Sequence, residues 1–208
     1  MKTNVFRYPS GGSNPKLQAF EQEEGRCTMS ETVLIMPGIN NSGPEHWQTL
    51  WEMENPSFRR IEVGDWDHPQ CADWIASVER AVKAATAPVT IVAHSLGCLP
   101  VVEWALRTDA AGVRAAMLVS VPDVRGPNFP VQARGFEPVT LRRLPFRSMV
   151  VSSVDDPYGS HEYRRQCADA WGSEFIGVGA AGHINARSGL GAWEEGKALL
   201  RRLMALEG

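Results

Sequence analysis

The chain has 208 residues, 43% hydrophobic and 22% charged, a composition that fills one compact core without a disulfide scaffold. Its net charge of -3 provides no basic stripe for phosphate backbones, and no apolar run is long enough to span a membrane, so neither nucleic acid nor membrane is expected as a partner. Four scattered cysteines, Cys27, Cys71, Cys98 and Cys167, spell neither a zinc site nor a redox pair; with no apolar leader after Lys2, the expected compartment is the cytoplasm.

Residues 1–30 combine a Ser-Gly-Gly-Ser-Asn-Pro loop with an acidic run, and read as a poorly ordered N-terminal extension without a catalytic role. The domain is expected over 31–208. Short apolar runs at 32–36, 60–63, 89–93, 116–120, 148–152 and 175–178 read as strands, several without polar alternation, as suits a sheet buried on both faces. Helical spacing falls between them. It places Trp47, Leu50 and Trp51 on one helix over 44–53, capped by Ser42 or Gly43, and Trp74, Ile75, Val78 and Val82 on a second over 71–85. Further helices are expected through Leu106, over 160–171 and around Leu199 to Leu203. Such alternation predicts a mostly parallel sheet covered by helices on both faces, with its site at the carboxyl ends of the strands.

The sharpest local signal is Val89 to Cys98, an apolar strand entering Ala93-His94-Ser95-Leu96-Gly97 and then a helix. This is the small-x-Ser-x-Gly nucleophile elbow of the α/β-hydrolase fold, with Ala93 in place of the first glycine. Neighbours two positions from the serine must be small because the backbone crosses closely there. Ser95 is therefore the expected nucleophile, and His94, pointing elsewhere, a packed or hydrogen-bonded residue.

A serine hydroxyl needs a base and a group to orient that base, which in this fold follow in the order serine, acid, histidine. Of five histidines only His161 and His183 follow Ser95. His183 lies in a small-residue loop after the last strand and is the expected base; His161, in a helix with Glu162, Arg164 and Arg165, reads as a solvated surface residue. Asp156, extended before Pro157, is favoured as the acid over Asp155, which can bond within the turn, and over Asp123 in an earlier turn. The glycine-containing loop from Pro37 to Pro44 suggests the Ile39 amide as one oxyanion donor, with that of Leu96 as the other. Asn40, Trp66 and Asn185 are the candidate substrate contacts, and His68 could also line the cleft. Five prolines between Ser120 and Phe146 argue against a long lid helix, which leaves a shallow, open cleft.

Together, Pro37-Gly38, Ser42 to Trp47, Trp66 to Pro69, Ala93 to Cys98, Asp155 to Tyr158, Gly182 to Asn185, Ser188-Gly189 and Trp193 resemble the retinoblastoma-binding protein 9 / YdeN-like serine hydrolases. The resemblance runs from about Thr32 to the C-terminus. It implies an α/β-hydrolase domain with a reduced or absent cap, a triad on Ser95, Asp156 and His183, and no metal or organic cofactor. The expected activity is cleavage of small esters through an acyl-serine, with a small-molecule ester or amide as partner. An amidase or peptidase using the same triad is the nearest alternative. A protein-interaction module displaying Trp66 and Trp193 is another.

Overall fold

The computed structural model describes residues 31–205, so the expected N-terminal extension and Cys27 lie outside the described residues. The strands are β1 (Val33–Met36), β2 (Phe58–Arg60), β3 (Val89–His94), β4 (Val113–Val119), β5 (Arg147–Ser152) and β6 (Glu174–Gly177). The helices are α1 (Trp47–Glu54), α2 (Cys71–Ala84), α3 (Cys98–Arg107), α4 (His161–Trp171) and α5 (Glu194–Ala205). All six strands pair in parallel in the order β2-β1-β3-β4-β5-β6.

Strand residues alternate between two cores. Leu34, Met36, Ile91, Ala93, Ala116 and Leu118 pack with Trp74 and Val78 of α2, Leu99 and Val102 of α3, and Cys167 and Trp171 of α4. Val33, Ile35, Val92, Met117 and Val151 pack against Trp47 and Trp51 of α1 and Leu200 and Leu203 of α5. With both faces covered, period-two polarity disappears and the central strands read as continuous apolar runs.

Most boundaries fall within a residue or two of expectation, and the larger or more informative differences are these. Pairing places β2 at Phe58–Arg60 instead of 60–63, because its register with β1 matches Val33 to Phe58 and Ile35 to Arg60. Helix α1 is capped by His46, whose side chain accepts the Gln48 amide, rather than by Ser42 or Gly43. Strand β4 begins at Val113, ahead of its apolar portion. Between β4 and β5, residues 120–146 contain neither helix nor strand, so among the described residues this connection places no helical cap over the strand ends. Cys71, Cys98 and Cys167 are buried free thiols, and among the described residues no helix is long and apolar enough to cross a membrane.

Candidate active site

The sheet reverses its winding between β1 and β3, and the crevice beyond their carboxyl ends is where open α/β sheets place ligands. Register pairs Met36 with Ala93, bringing the loop after β1 alongside the turn after β3. Backbone is packed against backbone there. A Cβ on Gly97 would stand 2.2 Å from the Pro37 oxygen, and one on Gly38 would stand 2.9 Å from Ser95 Cβ. Ser95 itself adopts φ 54°, a left-handed conformation rare outside glycine, as the elbow requires. Fully buried Gln48 reaches from α1 to the carbonyls of Met36 and Val92, satisfying acceptors near the ends of β1 and β3.

His183 arrives from the loop after β6. Its Nε2 is 2.8 Å from Ser95 Oγ, and its Nδ1 is 2.9 Å from each oxygen of Asp156. The three side chains expected from the sequence thus form one hydrogen-bonded chain. Donation from Nδ1 to the carboxylate leaves Nε2 as the acceptor of the serine proton. Burial pushes the Asp156 carboxyl upward, but the hydrogen bond and charge of His183, the charge of Arg164 and the Tyr158 amide outweigh it, so the group lies below its ordinary value.

The loop that carries His183 is held at successive residues. His94 Nε2 meets the His183 carbonyl at 2.9 Å, Trp47 Nε1 donates to the Ile184 carbonyl at 2.7 Å, and Ser188 Oγ donates to that of Ala181. Asp155 accepts the Gly182 amide and the Ser153 hydroxyl, while Ser153 Oγ accepts the Ala181 amide. Asp155 therefore shapes the loop that carries His183, and Asp123 accepts the Arg125 amide within its own turn. The His94 ring is buried against those of His46 and His183. Burial, followed by the charges of Arg60 and His183, lowers His46 to about 4; burial likewise lowers His94 well below the usual imidazole range.

A cleft of about 500 Å³ opens over Ser95, and Ile39, Leu96, Asn40 and Asn185 all line it. The amides of Asn40 and Asn41 are taken by the Trp66 and Gly38 carbonyls, whereas among the described residues no acceptor takes the Ile39 amide. Arg60 braces this loop through Asn41 Oδ1 and the Ser42 carbonyl. Among the described residues no group of three His, Cys, Asp or Glu side chains is placed to hold a metal ion.

Trp66 does not line the cleft: its ring packs edge-on against Trp74, 5.4 Å away, so the expected substrate contact is a packing residue. His68 is also outside, exposed beside Asp65. Trp193, which the interaction-module alternative would display, is only 4% exposed and packs with Trp47 and Trp51. His161 is half-buried, against Phe175 and the Ser152 hydroxyl, instead of solvated. Sequence reading missed Tyr158, whose ring centre lies 4.4 Å from that of His183, and the cleft residues Asn128, Gln132 and Arg187. It also gave Arg164 no role beyond that of a charged neighbour of His161, whereas the structure buries it completely.

A parallel sheet that lifts a serine from a strained turn at its switch point defines an α/β hydrolase. Residues 33–202 match the serine hydrolase family, and the chain belongs to that family. Its fold is similar to that of a YdeN-like hydrolase from Pectobacterium atrosepticum, with TM-score 0.75 and 28% identity over 90% of this chain and 95% of that one. The ydeN gene product of Bacillus subtilis superposes with TM-score 0.71 at 18% identity, covering 85% of this chain and 100% of that one. Carboxylesterase CesB of the same species gives TM-score 0.60 at 13% identity, over 86% and 85% of the two chains. No curated protein matches the chain.

Proposed function

We propose that this hydrolase cleaves small esters through an acyl-serine intermediate, with Ser95 as nucleophile, His183 as base and Asp156 as the group that orients the base. The observation carrying this reading is the unbroken chain of contacts, 2.8 Å and 2.9 Å long, from hydroxyl to imidazole to buried carboxylate. As Ser95 Oγ attacks the ester carbonyl, His183 Nε2 takes the hydroxyl proton and Asp156 stabilises the imidazolium. The tetrahedral oxyanion faces the amides of Ile39 and Leu96, each supplying on the order of 3 kcal/mol of barrier lowering. Collapse expels the alcohol, which takes the proton from His183. Water activated by the same imidazole then releases the acid and restores the serine.

Asn40 and Asn185 flank the nucleophile as polar contacts for substrate, and the uncapped strand ends favour a small or extended ester. The test is fluorophosphonate labelling with turnover of matched ester and amide substrates. Labelling that disappears in Ser95→Ala, with the ester cleaved faster, supports the proposal. Faster amide cleavage makes the protein an amidase, and a folded wild type that never labels makes it a binding module.

A further inference from the structure

The buried arginine behind the carboxylate has no part in the mechanism above. We infer that Arg164 is a positioning residue of the triad, its guanidinium fixing the charge and aim of the Asp156 carboxylate that faces His183. This inference rests on the triad proposed above but not on whether the substrate is an ester.

Arg164 and Asp156 both have fully buried side chains, and Nη2 lies 2.7 Å from Oδ2. The rest of the guanidinium is anchored: Nε donates to the Val121 carbonyl at 2.8 Å and Nη1 to that of Gly159. Arg164 thereby ties α4 to the turns following β4 and β5. Nη2 approaches Oδ2 away from the ideal hydrogen-bond direction, so its action on Asp156 is mainly through charge. The carboxylate is pinned from three sides, by His183 Nδ1, the Tyr158 amide at 3.0 Å and the guanidinium.

Among the described residues no other nearby positive charge substitutes for this one. Cys98 on α3 and Cys167 and Tyr163 on α4 face the guanidinium; burial pushes all three upward, so they stay neutral. His94 on β3 is held neutral by burial, and Asp123 is engaged by the Arg125 amide. Among the described residues Asp156 is the one carboxylate paired with Arg164. An unpaired anion at that depth would relieve its desolvation by drawing a proton to the Asp156–His183 couple, and a couple already holding that proton no longer accepts the one on Ser95.

The experiment measures the rate of fluorophosphonate labelling of Ser95 against pH in wild type, Arg164→Gln and Arg164→Lys. The acid limb is expected to move to higher pH by about one unit or more in Arg164→Gln, the usual effect of losing an adjacent opposite charge. Arg164→Lys should restore the limb and label within about tenfold of wild type, although its thermal stability falls with the lost carbonyl bonds. Equal slowing of both variants with an unmoved limb would make Arg164 a scaffold residue and overturn the inference. If Arg164→Gln does not fold, Arg164→Lys decides: labelling retained while stability falls supports the inference, and labelling lost with stability refutes it. A folded wild type that labels at no pH refutes the triad and this role together; a labelled wild type with an unmoved limb in Arg164→Gln refutes this role alone.

Discussion

The two halves of the candidate site are built by different means. The nucleophile half, from β1, β3 and their loops, is fixed by steric exclusion: Gly38 and Gly97 leave no room for a Cβ, and Ser95 is held at positive φ between them. The base half, following β5 and β6, is fixed by side-chain bonds between distant segments, including Asp155 to Gly182 and Arg164 to Val121. Steric exclusion tolerates no added atom, whereas a bonded network weakens one partner at a time.

The strongest way to break the nucleophile half is Gly97→Ala, whose new Cβ would meet the carbonyl oxygens of Pro37 at 2.2 Å and Met36 at 2.8 Å. Because backbone blocks both directions, the turn must leave β1; a stability loss of roughly 3 kcal/mol or more and about a thousandfold slower labelling are expected by thermal melting and fluorophosphonate kinetics.

Acid offers the next largest effect. His46 is 5% exposed and lowered to about 4, so the unfolded chain takes up its proton first as pH falls from the ordinary imidazole value of 6.5. Stability is therefore greatest above that value and falls through the window down to about 4, by on the order of 3 kcal/mol from this residue. Denaturant titrations in that window should show a shallower fall in His46→Asn, which retains an acceptor for the Gln48 amide.

Gly38→Ala tests the same half more gently. Its Cβ would press on Ser95 Cβ at 2.9 Å, and a turn shifted by a few tenths of an ångström should lower kcat by about a hundredfold with a stability loss of roughly 1 to 2 kcal/mol. The smallest effect belongs to the base half. Ser153→Ala removes the acceptor of the Ala181 amide and the donor to Asp155, and should lower kcat only about tenfold, with a stability loss near 1 kcal/mol. A loss as large as that of Gly97→Ala would erase the proposed contrast.

The same division explains what the sequence makes legible. The elbow is readable because its demand for small residues acts within five positions, from Ala93 to Gly97. Chain order, loop type and the proline after Asp156 point to His183 and Asp156, and the structure sets the His183 ring between the Ser95 hydroxyl and the Asp156 carboxylate. Trp66 and Trp193 were misread because an aromatic side chain after a strand suits a cleft or a core equally, and only their neighbours decide. Arg164 passes unnoticed because of its residue type, although it lies three, four and seven positions before Cys167, Ala168 and Trp171 on the buried stripe of α4. Helical periodicity contained the signal; the charge of the side chain obscured it.

The bond from Trp47 to the Ile184 carbonyl also makes the site optically readable. An indole with its N–H tied to the residue after His183 and its ring packed against Trp51 and Trp193 is expected to change emission colour when that segment shifts or water enters. Emission at the tryptophan band, compared between wild type and Trp47→Phe so that the other tryptophans cancel, is expected to shift when a fluorophosphonate reacts, with no attached dye.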